Sequence, residues 1–431
     1  MSFEFGAMLV ALFGLAGIGT PVGYSIIIAA LIYLGLGGLD LALAGEKSLQ
    51  GLYGSFVLLA VPLFIVAANI MNAGTISDRL LRFAQALVGR FRGGLGHVNI
   101  VASLIFSGMS GSAVADAAGI GKIIIEMMTK DGRYSRGYAA AITAASATIG
   151  PIIPPSIPMV LYALVSNQSI GALFLAGIVP GLLMGLVLMA MNTFIAHKRG
   201  FALEEPVPLR ELPRKTARAF PALLMPVILL YGIYGGVTTP TEAAAIAAFY
   251  ALVLAGLFYR AISLRALYHI FVDSARSSAA VGLVIGGALI LNFVVVKENI
   301  PAMMSDALVG LDVPPIVFLL AVNLLILLLG ALLDATTLIL VIVPLFIPTA
   351  QALGIDLVHF GVLVVVNSMI GLITPPYGIL LFVINAVTGI QLREIIREIW
   401  SFLAVLLLAL AILIFSPNLV LWLPRLVGYQ G

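Results

Sequence analysis

GPIIPPSIP at residues 150–158 and GLITPPYG at residues 371–378 are two copies of one break: a glycine, three further residues and a proline pair, each inside a long apolar run. Paired prolines remove backbone donors and clash with the preceding turn, so each run reads as an interrupted helix. An interrupted helix leaves N–H and C=O groups unpaired, which lipid does not tolerate but an ion or an anionic group can use. A slide of 221 residues lays Gly150, Pro154 and Pro155 on Gly371, Pro375 and Pro376, and nearly the same slide brings Gly108 near Gly330 and Asp334. Matched interruptions in two halves of a membrane chain point to a secondary transporter and its binding site.

Composition puts the chain in a membrane. Of 431 residues, 62% are hydrophobic and 10% charged, with a mean hydropathy of +1.17. Soluble domains carry about 25% charged residues. The absence of cysteine excludes a disulfide framework, thiolate metal sites and thiol catalysis. A net charge of +3 provides no field to draw in nucleic acid.

The apolar runs predict nine crossings, at about residues 5–34, 51–73, 138–165, 171–195, 220–237, 242–259, 273–296, 358–387 and 395–423. The first is too long and too poor in basic residues for a cleaved signal peptide. Two further runs, about 95–128 and 314–348, are interrupted by polar tips and read as re-entrant hairpins. Residues 76–94 form an amphipathic arm, with Leu80, Leu81, Ala84 and Leu87/Val88 on one side and Arg79, Arg82 and Arg90 facing headgroups elsewhere.

Basic residues orient the chain. Segments 77–97, 129–137, 197–218, 259–276 and 390–398, with Lys122, hold 19 of the 22 Lys and Arg; only Lys47, Lys297 and Arg425 fall elsewhere. The positive-inside rule makes the first set cytoplasmic, with the N-terminus inside and the C-terminus outside. The expected fold is an all-α polytopic membrane protein. Its first inverted repeat covers 1–197, a cytoplasmic linker 198–218, an extra connecting helix 219–238 and the second repeat 239–431. Trp400 and Trp422 fit interface anchors, and the four histidines sit at predicted ends, where a proton relay is not expected.

FSGMSGSAVADAAGIG at 106–121, GPIIPPSIP and NSMIGLITPPYG at 367–378 resemble the large membrane subunit of the tripartite ATP-independent periplasmic (TRAP) transporters, over essentially the whole chain. The resemblance implies a sodium-driven, elevator-type importer of organic acids in the bacterial inner membrane. It also implies two partners, a small four-helix membrane subunit and a periplasmic substrate-binding protein. No four-helix module precedes Met1, so an unfused large subunit is expected. No cofactor is expected beyond Na⁺ as coupling ion.

Ionisable residues within apolar runs are costly and mark function. Asp116 and Asp334 each follow a hairpin tip and are read as repeat-related. Sodium takes oxygen ligands, and the family's two sodium sites carry over to Ser103, Ser107, Gly108, Gly150 and Ile153 in the first half and to Gly330, Gly371 and Thr374 in the second. The substrate is expected between the tips, against Ser110, Ser112 and Ser156, with Asp116 and Asp334 at the edge. Lys297 is the basic candidate near the outer side, and a snorkelling interface role suits it equally. Serines here can also be satisfied locally.

Two alternatives stand beside this reading. One is a related sodium/organic-anion transporter that needs no binding protein. The other is a membrane hydrolase using the serine of GMSGS, but Ser110 has no base nearer than Lys122, three turns away. The organic acid itself, whether a C4-dicarboxylate, sialic acid, keto acid or sugar acid, is not legible in the chain.

Overall fold

The computed structural model describes residues 2–72, 76–201, 203, 209–300, 302–303 and 313–430. Among them the chain is helical, apart from one isolated bridge between Arg92 and Leu203. Of the expected linker at 198–218, residues 202 and 204–208, Pro206 and Pro208 included, lie outside the described residues.

Three expected elements are redrawn. The run at 5–34 is not one span but two helices, α1 (Phe3–Gly17) and α2 (Val22–Leu36), folded back on each other. The turn falls at the Thr20–Pro21 step, where proline can open a new helix but not continue an old one. The run at 51–73 belongs to α3 (Ala42–Gly54) and α4 (Phe56–Asn72), bent by 76°. The last run divides into α19 (Leu392–Phe415) and α20 (Pro417–Leu426).

The arm, α5 (Ile76–Val88), is amphipathic as expected, but its apolar side is buried within the chain, against α6 (Gly94–Ser110) and α11 (Leu212–Tyr234). The Arg79 guanidinium stacks on the Tyr259 ring at 4.2 Å. The connecting helix α11 starts at Leu212, eight residues before the expected 220, because Pro213 occupies its first turn.

The first hairpin is α6, a tip at Gly111–Ser112, and α7 (residues 113–129), which contains a π-helical turn at Ala117–Gly121. The first broken helix is α8 (Arg136–Ala147) and α9 (Ile157–Ser166), followed by α10 (Ile170–Lys198). In the second half come α12 (Pro240–Phe258) and α13 (Leu264–Lys297). The second hairpin is α14 (Pro315–Gly330) and α15 (Ala335–Leu345), with its own π-helical turn at Leu338–Ile342, followed by α16 (Ile347–Ala352). The second broken helix is α17 (Leu357–Gly371) and α18 (Ile379–Thr388). Helix starts at Gly94 and Pro315, and at Arg136 and Leu357, stand in the same 221-residue register as the sequence motifs. Both breaks carry a cis peptide bond, Pro154–Pro155 and Pro375–Pro376.

Among the described residues, five helices are individually long and apolar enough to cross a membrane, and the bent α3–α4 pair makes a sixth. The pieces of the broken helices are each too short to cross alone. Contacts sort the chain into two groups. Helices α1–α5 and α11–α13 pack among themselves, and α6–α10 and α14–α20 among themselves; they meet chiefly where α4, α5, α11 and α13 touch the two hairpins and α9.

Ser2 bonds Glu298 through its backbone N–H (3.2 Å) and its hydroxyl (2.7 Å), and Tyr33 near the end of α2 donates to the same carboxylate at 2.7 Å. The N-terminus therefore lies beside the end of α13, the end remote from Arg260, Arg265 and Arg276.

Candidate functional site

The first hairpin tip rests directly on the first break. Gly111 reverses the chain with φ +57°, and a Cβ there would stand 2.5 Å from the Pro155 carbonyl oxygen, so only glycine permits the contact. Ser110 Oγ donates to Asp116 Oδ1 at 2.5 Å. Asp116 is 4% exposed, and its Oδ2 has no hydrogen-bond partner among the described residues. That oxygen faces the break, since a Cβ on Gly150 would lie 2.5 Å from it. Asp116, Ser103, Asn99 and Thr143 share a narrow space of 10 Å³, with Asn99 donating to Thr143 Oγ1 at 2.6 Å.

The second tip repeats the contact with different chemistry. A Cβ on Gly371 would meet Gly330 Cα and C at 2.7 Å, so tip and break again touch backbone to backbone. Asp334 caps α15: Oδ2 accepts the Thr337 N–H at 3.2 Å and Oδ1 accepts the Thr337 hydroxyl at 2.5 Å. The caps Ser112 and Asp334 stand 222 residues apart, the offset that also relates Gly108 to Gly330. Asp116 and Asp334 each lie just past a tip and are each bonded to a hydroxyl, Ser110 and Thr337 respectively.

A cavity of 410 Å³ lies between the tips. Ser110, Ser112 and Asp334 line it, with Thr336, Met369 and Leu372 from the second half. Four helices open onto it with their first residues: Ala113 of α7, Ile157 of α9, Ala335 of α15 and Ile379 of α18. Helix N-termini present unpaired N–H groups and the positive end of the helix dipole, which suit an anion. No Lys or Arg lines the cavity among the described residues.

The remaining candidates sort by place. Asp116 sits behind the cavity wall, bonded to Ser110. Ser156 is fully buried as the cap of α9, accepting the Met159 N–H at 3.2 Å and donating to the Pro151 carbonyl. Ser112 likewise caps α7. Ser107 is satisfied by the Leu104 carbonyl at 2.6 Å, and Thr374 by the Ile370 carbonyl at 2.8 Å. Gly108 abuts Pro226 of α11, and Ile153 packs against Gly181. Lys297 is exposed and stands apart: Val281 lines the cavity, and 16 residues of helix carry Lys297 about 24 Å further. Asn69 of α4 and Ser277 of α13 also line the cavity. Sequence reasoning missed both, because a lone polar residue in an apolar helix does not reveal which way it faces.

A polytopic helical protein with two tip-and-break pairs around one internal cavity has the architecture of a membrane transporter. Residues 9–419 match the family described as "Tripartite ATP-independent periplasmic transporter, DctM component", and the chain belongs to that family. It is a large permease subunit of the inner membrane and not an enzyme. It is 43% identical over 427 residues to the sialic acid TRAP transporter large permease protein SiaM of Vibrio cholerae serotype O1, covering 98% of this chain and 100% of that protein. It is 36% identical over 442 residues to the C4-dicarboxylate TRAP transporter large permease protein DctM of the same organism, covering 97% of each. Among solved structures, the Alcanivorax borkumensis YdaH transporter shares the fold, with a TM-score of 0.62 at 16% identity over 86% of this chain and 87% of that one.

Proposed function

We propose that this permease imports an organic acid coupled to sodium by an elevator movement, receiving substrate from a periplasmic binding protein and working with a small four-helix membrane subunit. The observation that supports it is the convergence of four helix N-termini on one cavity that no basic side chain lines among the described residues. A carboxylate there would be held by backbone N–H groups and by the hydroxyl of Ser112, with Ser110 beside it engaged by Asp116. The names of the relatives, sialic acid and C4-dicarboxylate permeases, agree with an acid of this class.

In this reading the coupling ions bind where tips meet breaks. The unpartnered Oδ2 of Asp116 next to Gly150 fits a hard cation, and it moves Asp116 from the substrate set to the sodium set with Ser103, Ser107, Gly108 and Ile153. Gly330, Gly371 and Thr374 would offer carbonyl and hydroxyl oxygens in the second half. The group formed by α6–α10 and α14–α20 is the moving body, and α1–α5 with α11–α13 the scaffold. The two halves form inverted repeats. Both termini are assigned to the periplasmic side, replacing the cytoplasmic N-terminus expected when 5–34 counted as one crossing.

The test is uptake into liposomes holding the chain and its small subunit, with binding protein outside and an inward sodium gradient. Uptake should vanish without sodium and in Asp334→Ala or Thr374→Ala proteins that still insert; undiminished uptake in either case overturns the assignment. Uptake by the chain alone favours the binding-protein-independent reading.

A further inference from the structure

We propose that the seam between the arm α5 and the cytoplasmic ends of α11 and α12 is a binding site for the phosphate headgroup of an anionic phospholipid. The site is built around Tyr259, which is 8% exposed. Its ring carries the Arg79 guanidinium at 4.2 Å, and its hydroxyl donates to the Arg218 carbonyl at 2.8 Å. One buried aromatic residue thus fixes the distance between an arginine of the arm and one of α11. Arg82 lies one turn beyond Arg79 and Arg214 one turn before Arg218, so each adds its charge on the same side of its helix; both are exposed. Arg260, also exposed, follows Tyr259 directly with φ +47°.

Arg79 thus stacks on the ring, Arg218 is bonded to it through the backbone, Arg82 and Arg214 lie one turn away from these two, and Arg260 is next in the chain. Among the described residues the acids nearby in the chain are Asp78, which precedes Arg79, and Glu211, engaged by Lys215 at 3.1 Å. Arginine's planar fork matches phosphate oxygens, and stacking on Tyr259 holds one fork ready. Below the charges the surface turns apolar, with Leu257 75% and Phe258 67% exposed. A basic rim above an exposed apolar wall, at the predicted cytoplasmic surface, fits a headgroup with its acyl chains attached better than it fits a free anion. The site does not depend on the transport reading; it needs only a multi-pass protein in lipid.

Native mass spectrometry of the purified full-length protein, released from detergent supplemented with phosphatidylglycerol or phosphatidylcholine, tests this. The wild type should retain one phosphatidylglycerol selectively. Each arginine neutralised near the surface should weaken retention about fivefold. Arg82→Gln/Arg214→Gln changes exposed residues only, so folding should persist and retention should fall by more than tenfold. Arg79→Gln should fall at least as far, while Arg276→Gln, on the cytoplasmic stretch of α13, should retain lipid as the wild type does. Equal retention of the two lipids, or unchanged retention in Arg82→Gln/Arg214→Gln, overturns the proposal. If millimolar inorganic phosphate displaces the lipid and raises the Tm as much as the lipid does, the site is a free-phosphate site and the lipid assignment fails.

Discussion

Gly371 and Gly330 touch through their backbones: a Cβ on Gly371 would fall 2.7 Å from both Cα and C of Gly330. This contact seats the second tip on the second break, and it leaves no room for any side chain. Gly371→Ala should force the two apart at a cost of about 1–3 kcal/mol. Thermal unfolding in detergent should show a lower Tm, and uptake should be lost although the protein reaches the membrane. Wild-type uptake in Gly371→Ala would mean the contact is incidental.

The Ser110–Asp116 pair behaves as a unit. Removing the hydroxyl leaves a buried carboxylate with neither oxygen bonded, which costs about 1–3 kcal/mol. Ser110→Ala should therefore destabilise more in the wild-type background than in Asp116→Asn, where the charge is gone. A double-mutant cycle on Tm should return a coupling above about 0.5 kcal/mol; additive effects would dissolve the pair.

Phe3 is 80% exposed, and the chain lacks cysteine. Phe3→Cys therefore gives a single thiol, to be labelled in intact spheroplasts by a membrane-impermeant maleimide. Labelling before lysis is expected. Reaction only after lysis would return the N-terminus to the cytoplasm.

Glu298 lies just past the α13 span, and its carboxyl is held below the usual range by hydrogen bonds from Ser2, then from Tyr33. A carboxyl with a depressed folded pKa stabilises above its unfolded value and loses that contribution as pH falls through the folded one. The N-terminal tether should therefore be intact at pH 7 and released in acid, below the ordinary glutamate range. Proteolysis at residues 2–5 should accelerate over that window in the wild type and be fast at every pH in Glu298→Ala. Identical, pH-independent cleavage of both proteins would remove the tether.

The breaks and tips were legible because their chemistry is local. Gly-x-x-x-Pro-Pro cannot be a continuous helix in any surroundings, and Asp116 in an apolar run demands a partner. The turn at 18–21 and the bend at Ser55 were not legible for the opposite reason. A reversal in an apolar setting needs no polar signal, so GIGTPVG at 17–23 reads as a span that continues. Pro213 falls inside the expected linker at 198–218, yet at a first turn proline starts a helix.

Among the described residues three π-helical turns occur, and two of them, Ala117–Gly121 and Leu338–Ile342, start 221 residues apart, each behind a tip; the third is Leu254–Phe258 in α12. Turns of this kind occupy well under 1% of residues in proteins and are frequent at functional sites. Widening the helix at the same place behind both tips loosens the backbone ladder where each tip is seated on its break.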